Sequence, residues 1–106
     1  MNIPRKIYMI RHVTTGRIYI GSSSDVFGRY KQHLVLLKCG KHPVEDMQND
    51  FDSVENYCIT ILDEVAAYSE RFKEYEWMKK YNSHIRGIGY NYKDIATVQL
   101  GKKKAV

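Results

Sequence analysis

Two short runs near the N-terminus decide how the chain is read: Lys6-Ile7-Tyr8-Met9-Ile10-Arg11-His12 and Arg17-Ile18-Tyr19-Ile20-Gly21, separated by Thr14-Thr15-Gly16. β-Branched and aromatic side chains fit a pleated surface and a Thr-Thr-Gly stretch supplies turn chemistry, so the pattern predicts a β-hairpin. A hairpin register that sets Tyr8 directly opposite Tyr19 would bring their Cβ atoms to about 5 Å on one sheet face. A slip of one residue would send the two to opposite faces, because strand side chains alternate with a period of two.

Beyond the hairpin, Ser22-Ser23-Ser24-Asp25 offers several N-caps, and Val26, Tyr30, Leu34 and Leu37 recur at helical spacing until Gly40. This predicts an amphipathic helix that tolerates Gly28. At about 100° per residue, Arg29 and His33 fall together at one edge of its apolar stripe and can reach a shared site. Pro43 suits a first helical turn, and Val44, Met47 and Phe51 continue a short second helix that Asp52-Ser53 breaks. Tyr57-Cys58-Ile59-Thr60-Ile61-Leu62 alternates like a strand, and apolar residues on both of its faces predict burial on both sides.

The longest helical segment runs from Ala66 to about Tyr81, with an apolar stripe of Ala67, Trp77, Met78 and Tyr81. Glu74 falls inside that stripe, while Glu76 points away. An unpaired carboxylate on an apolar face is strongly disfavoured, so its position requires a cause. After Asn82 the pattern loosens into Ile85-Arg86-Gly87-Ile88-Gly89-Tyr90-Asn91, a glycine-punctuated loop, and the chain closes with Lys102-Lys103-Lys104.

A length of 106 residues predicts one core, and 43% hydrophobic with 27% charged residues is a globular composition. No stretch approaches the roughly 20 apolar residues that span a bilayer, and the N-terminus lacks the apolar run of a secretory signal, so a soluble intracellular protein without a membrane partner is expected. Cys39 and Cys58 are then expected as free thiols. A zinc site from Cys39, His42, Cys58 and His33 is formally open, although the spacings match no familiar zinc pattern. Net charge is +7 over residues 1–42, −8 over 43–76 and +6 over 77–106. Basic ends around an acidic middle can give one polyanion-facing side and a solvated back; equally, each segment can be an ordinary solvated face.

Taken in order, Lys6-Ile7-Tyr8, Tyr19-Ile20-Gly21, Arg29 with His33 four positions later, His42, Glu74 ahead of Trp77-Met78-Lys79, and Gly89-Tyr90-Asn91 resemble the GIY-YIG nuclease family. The likeness is strongest to the catalytic domain of phage-type homing endonucleases and covers nearly the whole chain. One departure stands out: Lys6 occupies the place of the first motif's glycine, which bears on strand-end geometry more than on the tyrosine's chemistry.

The resemblance implies an α+β domain over residues 1–95, with a three-stranded antiparallel sheet flanked by helices and the active site on one sheet face, followed by a basic tail at 96–106. It implies Mg²⁺- or Mn²⁺-dependent hydrolysis of DNA phosphodiester bonds. Glu74 is expected as the sole protein ligand of the cation, with water and substrate oxygens completing its shell; the rival is a structural glutamate paired with Arg71 or Lys73, and Glu70 is the competing carboxylate. Tyr8 or Tyr19 would deprotonate water, and the choice between them is open. A free phenol has a pKa near about 10, so nearby cations must favour its ionised form. Arg29 would clamp the scissile phosphate. His33 and His42 would relay a proton or donate hydrogen bonds near it, Lys31 and Lys41 would add phosphate contacts, and Asn91 would brace the catalytic loop. Two other classes remain: a nucleic-acid-binding module that kept the fold and lost catalysis, and a protein-interaction domain. Without a zinc finger or helix-turn-helix, sequence selectivity is expected to be weak unless a partner or another polypeptide supplies it.

Overall fold

The computed structural model describes residues 3–92. Along them run β1 (Arg5–His12), β2 (Ile18–Ser23), α1 (Val26–Lys38), α2 (Glu45–Asp50), β3 (Tyr57–Val65) and α3 (Glu70–Tyr81), with short 3-10 turns at Val54–Asn56 and Ala67–Ser69. The basic tail read at 96–106 lies outside the described residues. The three strands form one antiparallel sheet in the order β2-β1-β3, the α+β architecture expected from the sequence.

The hairpin forms, but Tyr8 and Tyr19 are not directly opposite each other. His12 N–H donates to Arg17 O at 2.9 Å and Gly16 N–H donates to His12 O at 2.8 Å, so the loop closes around residues 13–16 with Gly16 at φ 74°. The His12 ring steadies this wider loop, because its Nδ1 meets Thr15 Oγ1 at 2.9 Å. Tyr8 therefore pairs with Gly21 and Tyr19 with Ile10. The offset is two residues, which keeps both tyrosines on one face.

Central β1 is the strand buried on both sides. Tyr8 and Ile10 join Val26, Leu37 and Met47 under α1 and α2, whereas Ile7 packs with Ile20 and Met78 under α3. Each fully buried aliphatic side chain in these two layers contributes about 2 kcal/mol through removal from water. The two-sided burial expected of residues 57–62 is not found, because β3 is an edge strand with Cys58 exposed and Ile61 42% exposed. A bulge also resets its alternation: Ile7 pairs with Asp63 but Tyr8 with Ile61.

Asp25 is the residue that caps α1, accepting from Gly28 N–H at 3.1 Å, which releases Ser22 from the capping role open to it in the sequence. The second helix begins at Glu45, two residues later than Pro43 suggests. The single helix expected from Ala66 divides into a 3-10 turn and α3, so Ala67 is exposed outside the helix and Tyr81 is 37% exposed; Met78 alone on α3 is fully buried. Asn82, left-handed at φ 57°, ends α3.

Candidate active site

A pocket opens at the β2 side of the sheet, lined by Tyr8, Tyr19, Gly21 and Arg29 from one face and by Arg5, Ser22, Glu70, Arg71 and Glu74 around the other. It straddles the strand instead of lying on one face as expected. Gly21 makes this possible: a Cβ there would stand 2.5 Å from both Cζ and Oη of Tyr8 and 3.0 Å from Cε2 of Tyr19. The missing side chain lets the Tyr8 ring cross β2 so that its oxygen reaches the pocket, although the residue as a whole is 1% exposed. The tyrosine rings sit 6.3 Å apart between centroids.

Behind Tyr8 stand two buried histidines from α1 and the following loop. Val44 N–H donates to His42 Nδ1 at 3.0 Å, so neutral His42 carries its proton on Nε2 and donates it to His33 Nδ1 at 2.7 Å. His33 in turn carries its proton on Nε2, 3.0 Å from Tyr8 Oη. The chain of donors thus runs toward the phenol oxygen. Burial first, then His42 and Arg29, pushes His33 down to about 4, and burial also lowers His42, so both rings are neutral near pH 7 and keep this polarity.

On the other side, Ser22 Oγ lies 2.5 Å from Glu74 Oε2 and 2.7 Å from Glu70 Oε2. Glu70 also accepts from Arg5 Nε at 2.7 Å. Burial opposes its ionised form, but hydrogen bonds from Arg5 and Ser22 outweigh that and hold its carboxyl below the usual value. Lys73 pairs with Glu76 at 3.4 Å, and Arg71 lines the pocket. Half-buried Glu74 therefore has its cause: it faces a polar cleft from the sheet side of α3.

Asn91 works from a distance. Its Oδ1 accepts Ile20 N–H at 2.7 Å and its Nδ2 donates to Ile20 O at 2.9 Å, while Tyr90 N–H donates to Ile18 O at 2.8 Å. The carboxamide acts as a one-residue strand along the outer edge of β2, fixing the backbone between Tyr19 and Gly21.

Tyr8, Tyr19, Arg29 and Glu74 thus share the pocket, with His33 and His42 behind Tyr8. Exposed Lys31 and Lys41 are not among the residues lining it, and Lys31 instead borders a shallow apolar groove with Val35 and Leu36 on α1. The formal zinc set does not assemble: Cys39 and Cys58 are free and exposed, and no group of three His, Cys, Asp or Glu suited to a metal occurs among the described residues. Among those residues no helix is long and apolar enough to cross a membrane. Arg5 and Ser22 were not singled out from sequence for this site. Strand alternation was the available signal, since it sets Ser22 on the face of Ile20 and Arg5 on that of Ile7.

Known proteins share this fold. Residues 5–91 match the GIY-YIG catalytic domain. Over 91 residues the chain is 33% identical to intron-associated endonuclease 1 of Enterobacteria phage T4, covering 83% of this chain but 36% of that protein. The chain therefore spans little more than a third of this curated relative. The solved structure of a variant of the catalytic domain of intron endonuclease I-TevI superposes with a TM-score of 0.75 at 28% identity, covering 87% of this chain and 94% of that one. The catalytic domain of homing endonuclease I-TevI gives a TM-score of 0.72 at 27% identity, covering 81% and 95%. A family match that runs from the first strand to the asparagine clamp, joined to a shared fold at that level, makes this chain a member of the GIY-YIG catalytic domain family.

Proposed function

We propose that the chain is a divalent-metal-dependent endonuclease domain that hydrolyses DNA phosphodiester bonds, in keeping with relatives named as intron and homing endonucleases. The observation that carries this reading is the convergence of Tyr8, Tyr19, Arg29 and Glu74 on one polar pocket. In-line hydrolysis needs a base beside a water, cations around the phosphate and a carboxylate for a hard metal ion, and the pocket offers each.

Tyr8 is the base we favour over Tyr19, because His33 Nε2–H points at its oxygen from 3.0 Å and stabilises negative charge there. Tyr8 takes the proton of the attacking water, Tyr19 orients that water or the phosphate, and the Arg29 guanidinium holds the phosphate oxygens. Glu74 would hold Mg²⁺ or Mn²⁺. The donor set fits such an ion: hard oxygens in a half-buried cleft, few enough to leave most of an octahedron to water and substrate. When bound, the cation supplies positive charge at the phosphate and leaving oxygen. Choice of DNA site would come from a separate partner or polypeptide segment, as the relative's far greater length suggests.

Lys6 in place of the motif glycine does not favour the inactive-module alternative. It lies within β1, and the only non-glycine residue with positive φ among those described is Asn82. Plasmid cleavage with Mg²⁺ tests the proposal, with Glu74→Gln, Tyr8→Phe and Arg29→Ala compared with the native chain. All three are expected to lose at least about 10²-fold in rate. A native chain that binds DNA without cutting it, or a Glu74→Gln chain that cuts as well as native, overturns it.

A further inference from the structure

One hydroxyl between two carboxylates carries an inference that rests on the assignment of Glu74 to the cation. Ser22 Oγ has a single proton and two carboxyl groups in reach, Glu74 Oε2 at 2.5 Å and Glu70 Oε2 at 2.7 Å. The two acceptors are not equivalent. Glu70 is already tied to β1 by Arg5 Nε at 2.7 Å, whereas Glu74 faces the pocket one helical turn further along α3. The backbone of Ser22 is itself fixed, paired with Ile7 on the central strand.

We propose that Ser22 is a positioning residue for the Glu74 carboxylate, and that the Arg5–Glu70 pair is its standby acceptor. Without a cation, the hydroxyl sits between the two carboxyl groups with its shorter contact to Glu74, and so favours one rotamer of that half-exposed side chain. With a cation drawing on the Glu74 oxygens, the same proton turns to Glu70. The half-buried hydroxyl thus keeps a carboxylate acceptor in both states, having set the Glu74 rotamer before the cation arrives. Arg5 keeps Glu70 anionic and in reach, which also holds it back from competing for the ion.

Isothermal titration of Mn²⁺ into the full chain tests this, with native, Ser22→Ala, Ser22→Thr and Glu74→Gln proteins compared and the fold of each checked by thermal melting. Ser22→Ala is expected to raise the Mn²⁺ Kd by about tenfold or more, the usual effect of removing a partner of a metal ligand. Ser22→Thr, which keeps the hydroxyl, restores the affinity. Cleavage lost by Ser22→Ala at low Mn²⁺ returns as Mn²⁺ is raised, which a merely structural defect would not do. If alanine unfolds the domain, Ser22→Cys with its weak S–H donor gives the same reading. Native affinity in Ser22→Ala, beside abolished binding in Glu74→Gln, overturns the positioning role alone; native affinity in Glu74→Gln overturns the assignment of the cation to Glu74.

Discussion

Replacing Gly21 by alanine places a methyl carbon 2.5 Å from Cζ and Oη of Tyr8, where ordinary contact begins near 3.4 Å. The ring must retreat by about 1 Å. It cannot swing into solvent, because Tyr8 is 1% exposed and its oxygen is hydrogen-bonded to His33 at 3.0 Å. Two losses follow. Forced overpacking of a filled site costs about 1–3 kcal/mol of stability. A base displaced by about 1 Å from its working position costs on the order of 10²-fold in rate, well beyond what the stability change produces at a temperature where the domain stays folded. Single-turnover cleavage of plasmid DNA at saturating Mg²⁺, run beside a thermal melt, separates the two. A Gly21→Ala protein that cuts within about twofold of native would refute the idea that this glycine exists to pass the Tyr8 ring across the strand, whatever its melting temperature.

Two further outcomes follow from buried groups. Burial holds His33 down to about 4 when folded, against about 6.5 in an unfolded chain, so between those values the unfolded state binds a proton that the folded state refuses. Unfolding free energy therefore falls as pH drops from about 6.5 toward about 4, and His33→Asn flattens part of that limb while His42, shifted the same way, retains the rest; identical pH profiles for the two proteins would exclude His33 as a source. Asn91→Ala leaves Ile20 N–H and C=O without their side-chain partner in a fully buried position and is expected to cost about 2–4 kcal/mol in urea denaturation, with a loss below about 0.5 kcal/mol showing that the clamp is dispensable.

Much of the pocket was legible because the relevant residues sit on elements with strong periods. Tyr8 and Tyr19 share a face through strand alternation, and that survived a register error because the error was two residues. The register itself depends on how many residues the loop takes, which Thr14-Thr15-Gly16 does not fix and which the bonds from His12 N–H to Arg17 O and from Gly16 N–H to His12 O settle in the folded chain. Ser22 was hidden by its neighbours: any member of Ser22-Ser23-Ser24-Asp25 can cap a helix, and only the folded chain reveals that Asp25 does so while Ser22 reaches Glu74. The edge position of β3 was illegible for a different reason. Ile59, Ile61 and Leu62 read as an interior strand, yet strand order depends on long-range pairing that local pattern does not encode. Arg5–Glu70, 65 positions apart, is of the same kind.

The carboxamide that finishes the outer border of β2 is supplied 71 positions downstream of the residue it grips. Until translation has passed that asparagine, the tyrosine strand keeps a raw flank with open backbone sockets, and the phenols have no settled frame. A growing polypeptide on the ribosome thus carries both tyrosines early and gains the side chain that fixes their strand only once residue 91 has been made.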